Sequence, residues 1–103
     1  MKFIVDGTAQ RVMQPARYQI VQLLRSSTTP LFVEQIAKET GIHPRMVSHH
    51  LDVLEEDGVV KCRYEISRAE GSRRGMAVRL CEATPKAMDV LRDIEESIRG
   101  TGV

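Results

Sequence analysis

The stretch Leu31-Phe32-Val33-Glu34-Gln35-Ile36-Ala37-Lys38-Glu39-Thr40-Gly41-Ile42-His43-Pro44-Arg45-Met46-Val47-Ser48-His49-His50-Leu51-Asp52-Val53-Leu54-Glu55-Glu56-Asp57-Gly58-Val59-Val60 decides the fold. Val33, Ile36 and Ala37 fall on one face of a short helix that runs from Val33 to Thr40. Gly41 then supplies a residue that tolerates the left-handed backbone a tight helix exit demands. Pro44 opens the next helix, at a position where its missing N–H costs nothing. Val47, His50, Leu51 and Leu54 line one face of that helix, and Gly58 closes it. From Val59 to Ile66 the period changes to two. Val60, Cys62, Tyr64 and Ile66 share one side, and Lys61, Arg63 and Glu65 the other.

Two short helices meeting at Gly41-Ile42, with a strand pattern behind the second, are the arrangement of a helix-turn-helix followed by a β-hairpin wing. The expected fold class is therefore mainly α with a small antiparallel β-hairpin, a winged helix-turn-helix. An earlier helix starts at Pro15, with Ile20, Leu23, Leu24 and the stem of Arg17 on one face, and stops at Ser26-Ser27-Thr28-Thr29-Pro30. Leu31-Phe32 is expected to be a short strand pinned to the later hairpin. Glu70-Gly71-Ser72-Arg73-Arg74-Gly75 reads as the hairpin loop, Met76 to Cys81 as its return strand, and Thr84-Pro85 as the start of a last helix running to about Arg99. This divides the chain into an N-terminal arm or frayed helix over 1–13, the winged domain over 14–83 and a dimerisation helix over 84–103.

Length and composition narrow the classes. A chain of 103 residues fits one domain with one core. With 4% aromatic residues and no Trp, that core must be aliphatic, and no aromatic platform is available to stack single-stranded bases. The formal net charge is +1, so an argument for nucleic acid has to rest on where the charges lie. No apolar run approaches the roughly 18 residues of a membrane span, and no secretory leader is evident. Two cysteines without a leader suggest a cytoplasmic protein with reduced thiols.

The string Val47-Ser48-His49-His50-Leu51, then Leu54, then Gly58-Val59-Val60, resembles the recognition-helix signature of ArsR-like transcriptional regulators. Leu31 to Ile42 is similar to the first helix of their helix-turn-helix, and Pro15-Ala16-Arg17-Tyr18-Gln19-Ile20 to the start of their first core helix. The likeness covers about residues 14–83. It implies a homodimeric repressor whose third helix enters the major groove of double-stranded DNA, and it assigns Pro44, Arg45, Ser48 and His49 to the groove-facing positions. The chain departs from the pattern at His43-Pro44, where a serine often starts the helix, and at His49, where arginine is common. Such proteins often hold metals through cysteines in a helix or through acidic and histidine pairs in the last helix. Here the helix before Gly41 has no cysteine and the last helix no histidine, so neither metal nor cofactor is expected.

Arg45 is the best candidate for direct readout, because arginine presents two donors to guanine O6 and N7. A phosphate contact or a solvated side chain are the other readings. Ser48 lies about one turn further on the same side, and His49 still reaches the groove, whereas His50 groups with Val47 and Leu54 as a core or boundary histidine. The wing concentrates positive charge: Lys61, Arg63, Arg68, Arg73, Arg74 and Arg79 face only Glu65 and Glu70, while the last helix carries Asp89, Asp93, Glu95 and Glu96. Arg68, Arg73 and Arg74 are expected on the minor groove or the backbone. If Met76, Val78 and Leu80 face the core together with Cys62, then Cys81 points away from it, and the two thiols stay apart. Only a bulge would undo that.

Ala87, Leu91, Ile94 and Ile98 form a narrow seam on the last helix, expected to pair two chains. The leading functional reading is sequence-specific binding of double-stranded DNA by a dimeric, cytoplasmic transcriptional regulator. The alternative is a winged-helix protein-interaction module docking on the transcription machinery. An enzyme is the poorest reading, since no nucleophile has a base beside it and no glycine-rich phosphate loop is present.

Overall fold

A computed structural model describes residues 8–67 and 76–101. Its elements run α1 (Thr8–Val12), α2 (Pro15–Ser26), β1 (Leu31–Phe32), α3 (Val33–Thr40), α4 (Pro44–Glu56), β2 (Val60–Ser67), β3 (Met76–Ala83) and α5 (Pro85–Thr101). The three strands form one antiparallel sheet in the order β1-β3-β2. The fold is the winged helix-turn-helix that the periodicities of α3, α4 and β2 predict.

Local chemistry sets the helix ends. Both α2 and α4 start with proline in their first turn, and each is preceded by a side chain that accepts a hydrogen bond from a backbone N–H left without a helical partner. Gln14 Oε1 accepts from the Arg17 N–H at 3.0 Å, and His43 Nδ1 from the Arg45 N–H at 3.1 Å. At the start of α3 the direction reverses: the Phe32 N–H donates to Gln35 Oε1 at 2.8 Å. Gly41 ends α3 with φ at 75°, its N–H reaching the Ala37 carbonyl at 2.8 Å. A side chain there would meet no neighbour, so glycine is required for its backbone angle alone.

The core is aliphatic. Ile20, Val21 and Leu24 of α2, Ile36 of α3, Val47, Leu51 and Leu54 of α4, Val59 and Val60 at the start of the hairpin, and Ala87, Leu91 and Ile94 of α5 are all buried. From the amino-terminal segment Ala9 and Val12 of α1 join this core, so residues 8–12 are part of the globule. Arg11 adds a forked contact to Asp57 just beyond α4, with Nε–Oδ2 2.8 Å and Nη2–Oδ1 2.7 Å.

The sheet corrects two expectations. Its register pairs Val60 with Ala83, Cys62 with Cys81, Tyr64 with Arg79 and Ile66 with Ala77. Even-numbered residues of β2 thus oppose odd-numbered residues of β3, the reverse of the parity expected when Met76, Val78 and Leu80 were set beside Cys62. A one-residue change of register moves every side chain to the other face. Cys62 and Cys81 therefore share a face and are joined in a disulfide, with Cα atoms 4.1 Å apart. The second correction concerns reach. Tyr64 and Ile66 lie on the predicted core-facing side of β2 but are 70% and 65% exposed, because the hairpin extends past the last core residues.

Most of the seam on α5 packs against its own chain. Ala87, Leu91 and Ile94 are buried within the protomer, and only Ile98, at 57% exposure, remains on the surface. A small chain poor in aromatics uses the apolar stripe of its last helix to complete its own core against α1 and α2.

Candidate nucleic-acid interface

Helix α4 is amphipathic by position. Its inner face, Val47, His50, Leu51 and Leu54, is buried. Its opposite side in the first two turns carries Arg45 and His49, both exposed, with Ser48 and Pro44 half-buried at the edge. The four residues assigned to the groove-facing positions thus gather at the amino-terminal end of one helix. Met46, beside Arg45, is also exposed and adds an apolar group to the same end. Among the described residues the Arg45 side chain takes part in no ion pair.

The three histidines have three different roles. His43 caps α4 through Nδ1. His49 projects outward, its ring centroid 5.4 Å from that of His50. His50 is 4% exposed, and its Nδ1 accepts a hydrogen bond from Arg17 Nε at 3.1 Å. Burial holds its pKa below the ordinary value of 6.5, with the Arg17 guanidinium and then His49 adding to the effect. With Nδ1 accepting, the neutral ring carries its proton on Nε2.

The positive charge of the wing is partly spent within the protein. Arg63 pairs with Glu65 at 3.0 Å and Lys61 with Glu82 at 3.9 Å. Arg79 is drawn inward: its side chain is 11% exposed and bridges to α4, with Nη1 2.9 Å from Asp52 Oδ1 and Nη2 2.9 Å from Glu55 Oε1. Arg79 therefore belongs to the joint between wing and helix, and it is withdrawn from the basic surface the sequence pattern placed it on. Arg68, Arg73 and Arg74, with the loop around them, lie outside the described residues.

The clamp of Arg79 on Asp52 and Glu55 escaped the sequence reading. The only available signal was an arginine on a strand otherwise apolar on its core side, and its partners lie 27 and 24 positions earlier in the chain. The cap formed by His43 was equally hidden, since the residue type is not a usual helix start.

Residues 14–61 match the model of the bacterial regulatory protein, arsR family. Among solved structures, a possible transcriptional regulator for arsenical resistance is 26% identical, with a TM-score of 0.64 over 91% of this chain and 85% of that one. A homodimeric winged helix-turn-helix DNA-binding domain from Mycobacterium bovis, a possible ArsR-family transcriptional regulator, is 20% identical, with a TM-score of 0.61 over 97% of this chain and 91% of the other. A MarR-family regulator from Rhodococcus sp. RHA1 shares the fold at 18% identity and a TM-score of 0.63, over 91% of this chain and 64% of its own. No curated protein matches the chain in sequence. None of the described helices is long and apolar enough to cross a membrane.

Proposed function

We propose that this chain, an ArsR-like winged helix-turn-helix transcriptional regulator that binds DNA and is not an enzyme, acts as a homodimeric, cytoplasmic repressor of specific sequence. In this reading the amino-terminal half of α4 enters the major groove. Arg45 donates to a guanine edge or an adjacent phosphate, and Ser48 and His49 make shorter contacts beside it. Pro44 shapes the approach of the helix end. The hairpin, with Arg68, Arg73 and Arg74, lies along the minor groove or the backbone.

The observation that carries the reading is the exposure of Arg45 and His49 on one side of a helix whose other side is fixed in the core. An arginine in the first turn of a helix opposes the helix dipole, a cost with a purpose if an anion sits opposite. Pairing of two chains would set two such helices about 34 Å apart, one turn of B-DNA. For the dimer, the M. bovis domain is homodimeric, and α5 leaves Met88 and Ile98 exposed.

The test is an anisotropy titration of a labelled duplex taken from upstream of the chain's own coding sequence, with unlabelled scrambled competitor, at two salt concentrations. Binding that survives the competitor and weakens with salt is expected. Equal binding to the scrambled duplex would reduce the chain to a generic DNA binder. Absence of binding even at low salt would favour a protein-interaction module instead.

A further inference from the structure

We propose that the Cys62–Cys81 pair at the base of the wing is a thiol–disulfide redox site that sets DNA affinity, the oxidised form being the tighter binder. The inference rests on the DNA-binding reading above.

The pair occupies a position suited to reversible bonding. Cys62 and Cys81 are directly opposed, and their Cα atoms lie 4.1 Å apart. The Cys62 N–H donates to Glu55 Oε2 at 3.4 Å, away from β3. Together these mark a non-hydrogen-bonded pair, the kind in which cross-strand side chains come closest. Cys81 is fully buried and Cys62 half-buried. Cys62 is the more exposed of the two, so in this proposal a reductant attacks its sulfur and Cys81 is the leaving thiolate.

The chemistry closes with a small thiol as reductant. Its thiolate attacks Cys62 Sγ, the protein S–S bond breaks, and a mixed disulfide forms. A second small thiol resolves it, leaving two protein thiols and one small-molecule disulfide. A peroxide drives the reverse: two protein thiols lose two electrons and two protons, and an alcohol and water are formed.

The coupling to DNA follows from what surrounds the bond. Glu55 of α4 accepts from the Cys62 N–H through one oxygen and from Arg79 Nη2 through the other, at 2.9 Å. Arg79 stands two residues before Cys81 on the same face of β3 and also holds Asp52 of α4. Disulfide, strand, arginine and glutamate thus make a closed ring that includes α4 itself.

 Among the described residues the outer hairpin beyond this ring is held by its strand ladder rather than by the core, since Tyr64 and Ile66 are exposed. Two free thiols need more room than one bonded pair. Reduction therefore spreads β2 from β3 beside Glu55 and loosens the angle between wing and helix. A looser pair of DNA-contacting elements must be ordered on binding, which lowers affinity.

The experiment compares peroxide-oxidised and thiol-reduced protein on the upstream duplex, with thiol alkylation and intact mass confirming each state. The expected result is no alkylation before reduction, two alkylated cysteines after it, and DNA binding weaker by about fivefold or more in the reduced form. Cys62→Ser/Cys81→Ser, checked by circular dichroism, should bind like the reduced protein under both conditions. Glu55→Ala keeps both cysteines and should bind with little dependence on redox state. Equal affinities of the two wild-type forms, tighter binding by the reduced form, or failure of peroxide to close the bond would each overturn the proposal. Absence of DNA binding in both forms would overturn the DNA-binding reading itself, and this inference with it.

Discussion

The two halves of α4 are built for different tasks. The amino-terminal half presents Arg45 and His49 to solvent, and the Arg45 side chain has no ion-pair partner among the described residues. The carboxy-terminal half is tied down on several sides. Asp52 and Glu55 hold Arg79 of the wing, and just past the helix end Asp57 takes Arg11 of α1 on its carboxylate and Lys86 of α5 on its carbonyl, the latter at 2.8 Å. One half is offered outward and the other is joined to the sheet, α1 and α5. One short helix thus divides its charges along its length: Arg45 faces solvent at one end, while Asp52 and Glu55 hold Arg79 at the other.

The largest effect is expected from removing the anchor of the second half. Leu54 is fully buried among the core residues. Leu54→Ala should cost about 2–5 kcal/mol, the loss of a core methyl cluster together with the cavity it leaves. Urea unfolding followed by circular dichroism measures it, and a cost below about 1 kcal/mol would mean that the carboxy-terminal half is not anchored through this side chain. The complementary change lies in the first half. Arg45→Ala should leave stability within about 0.5 kcal/mol, as expected for an exposed residue, yet weaken specific DNA binding by about 1–3 kcal/mol if Arg45 donates to a base edge. A loss equal for specific and scrambled duplexes would reassign Arg45 to a phosphate.

What the sequence disclosed follows the same division between local and distant causes. The helices were legible because their signals are local: the proline in the first turn of α4, the glycine at position 41 with φ of 75°, and the apolar spacing of Val47, Leu51 and Leu54. Pro44, Arg45, Ser48 and His49 could be placed together at one helix end for the same reason. The hairpin was legible as a pair of strands but not in register. Parity depends on how β2 and β3 meet across the loop, and one residue of offset separates two distant thiols from a disulfide. The stripe on α5 is legible as apolar, but periodicity does not say whether an apolar face meets its own chain or another. Ala87, Leu91 and Ile94 meet their own.

The joint between α4 and the wing allows a smaller test. In Arg79→Ala the carboxylates of Asp52 and Glu55, at 68% and 43% exposure, regain water, so the penalty falls short of that for a fully buried pair. A stability loss of about 1–2 kcal/mol is expected from the lost charge-assisted hydrogen bonds, discounted for screening. Thermal unfolding checks it. No loss would show that the wing is held to α4 by its backbone alone, and that the second half of the helix is less firmly joined than the contacts imply.

His50 lies where the two halves meet, on the inner face, and gives the smallest effect. Burial, then the Arg17 guanidinium, then His49 hold its pKa below 6.5 in the folded chain. The unfolded chain titrates near the ordinary value, so below about pH 6.5 the unfolded state binds the extra proton first. His50 therefore makes stability fall as pH drops from the ordinary histidine range towards its own lowered pKa, and it contributes no pH dependence above that range. His50→Gln keeps an oxygen to accept from Arg17 and removes the titration. Urea midpoints taken at about pH 7.5 and about pH 5.5 should then fall further for the wild type than for His50→Gln. Equal falls would show that His50 is protonated as readily inside the fold as outside it. The inner face of α4 would then tolerate a charge beside Arg17, and the contrast between a helix face open to charge and one closed to it would fail at its central residue.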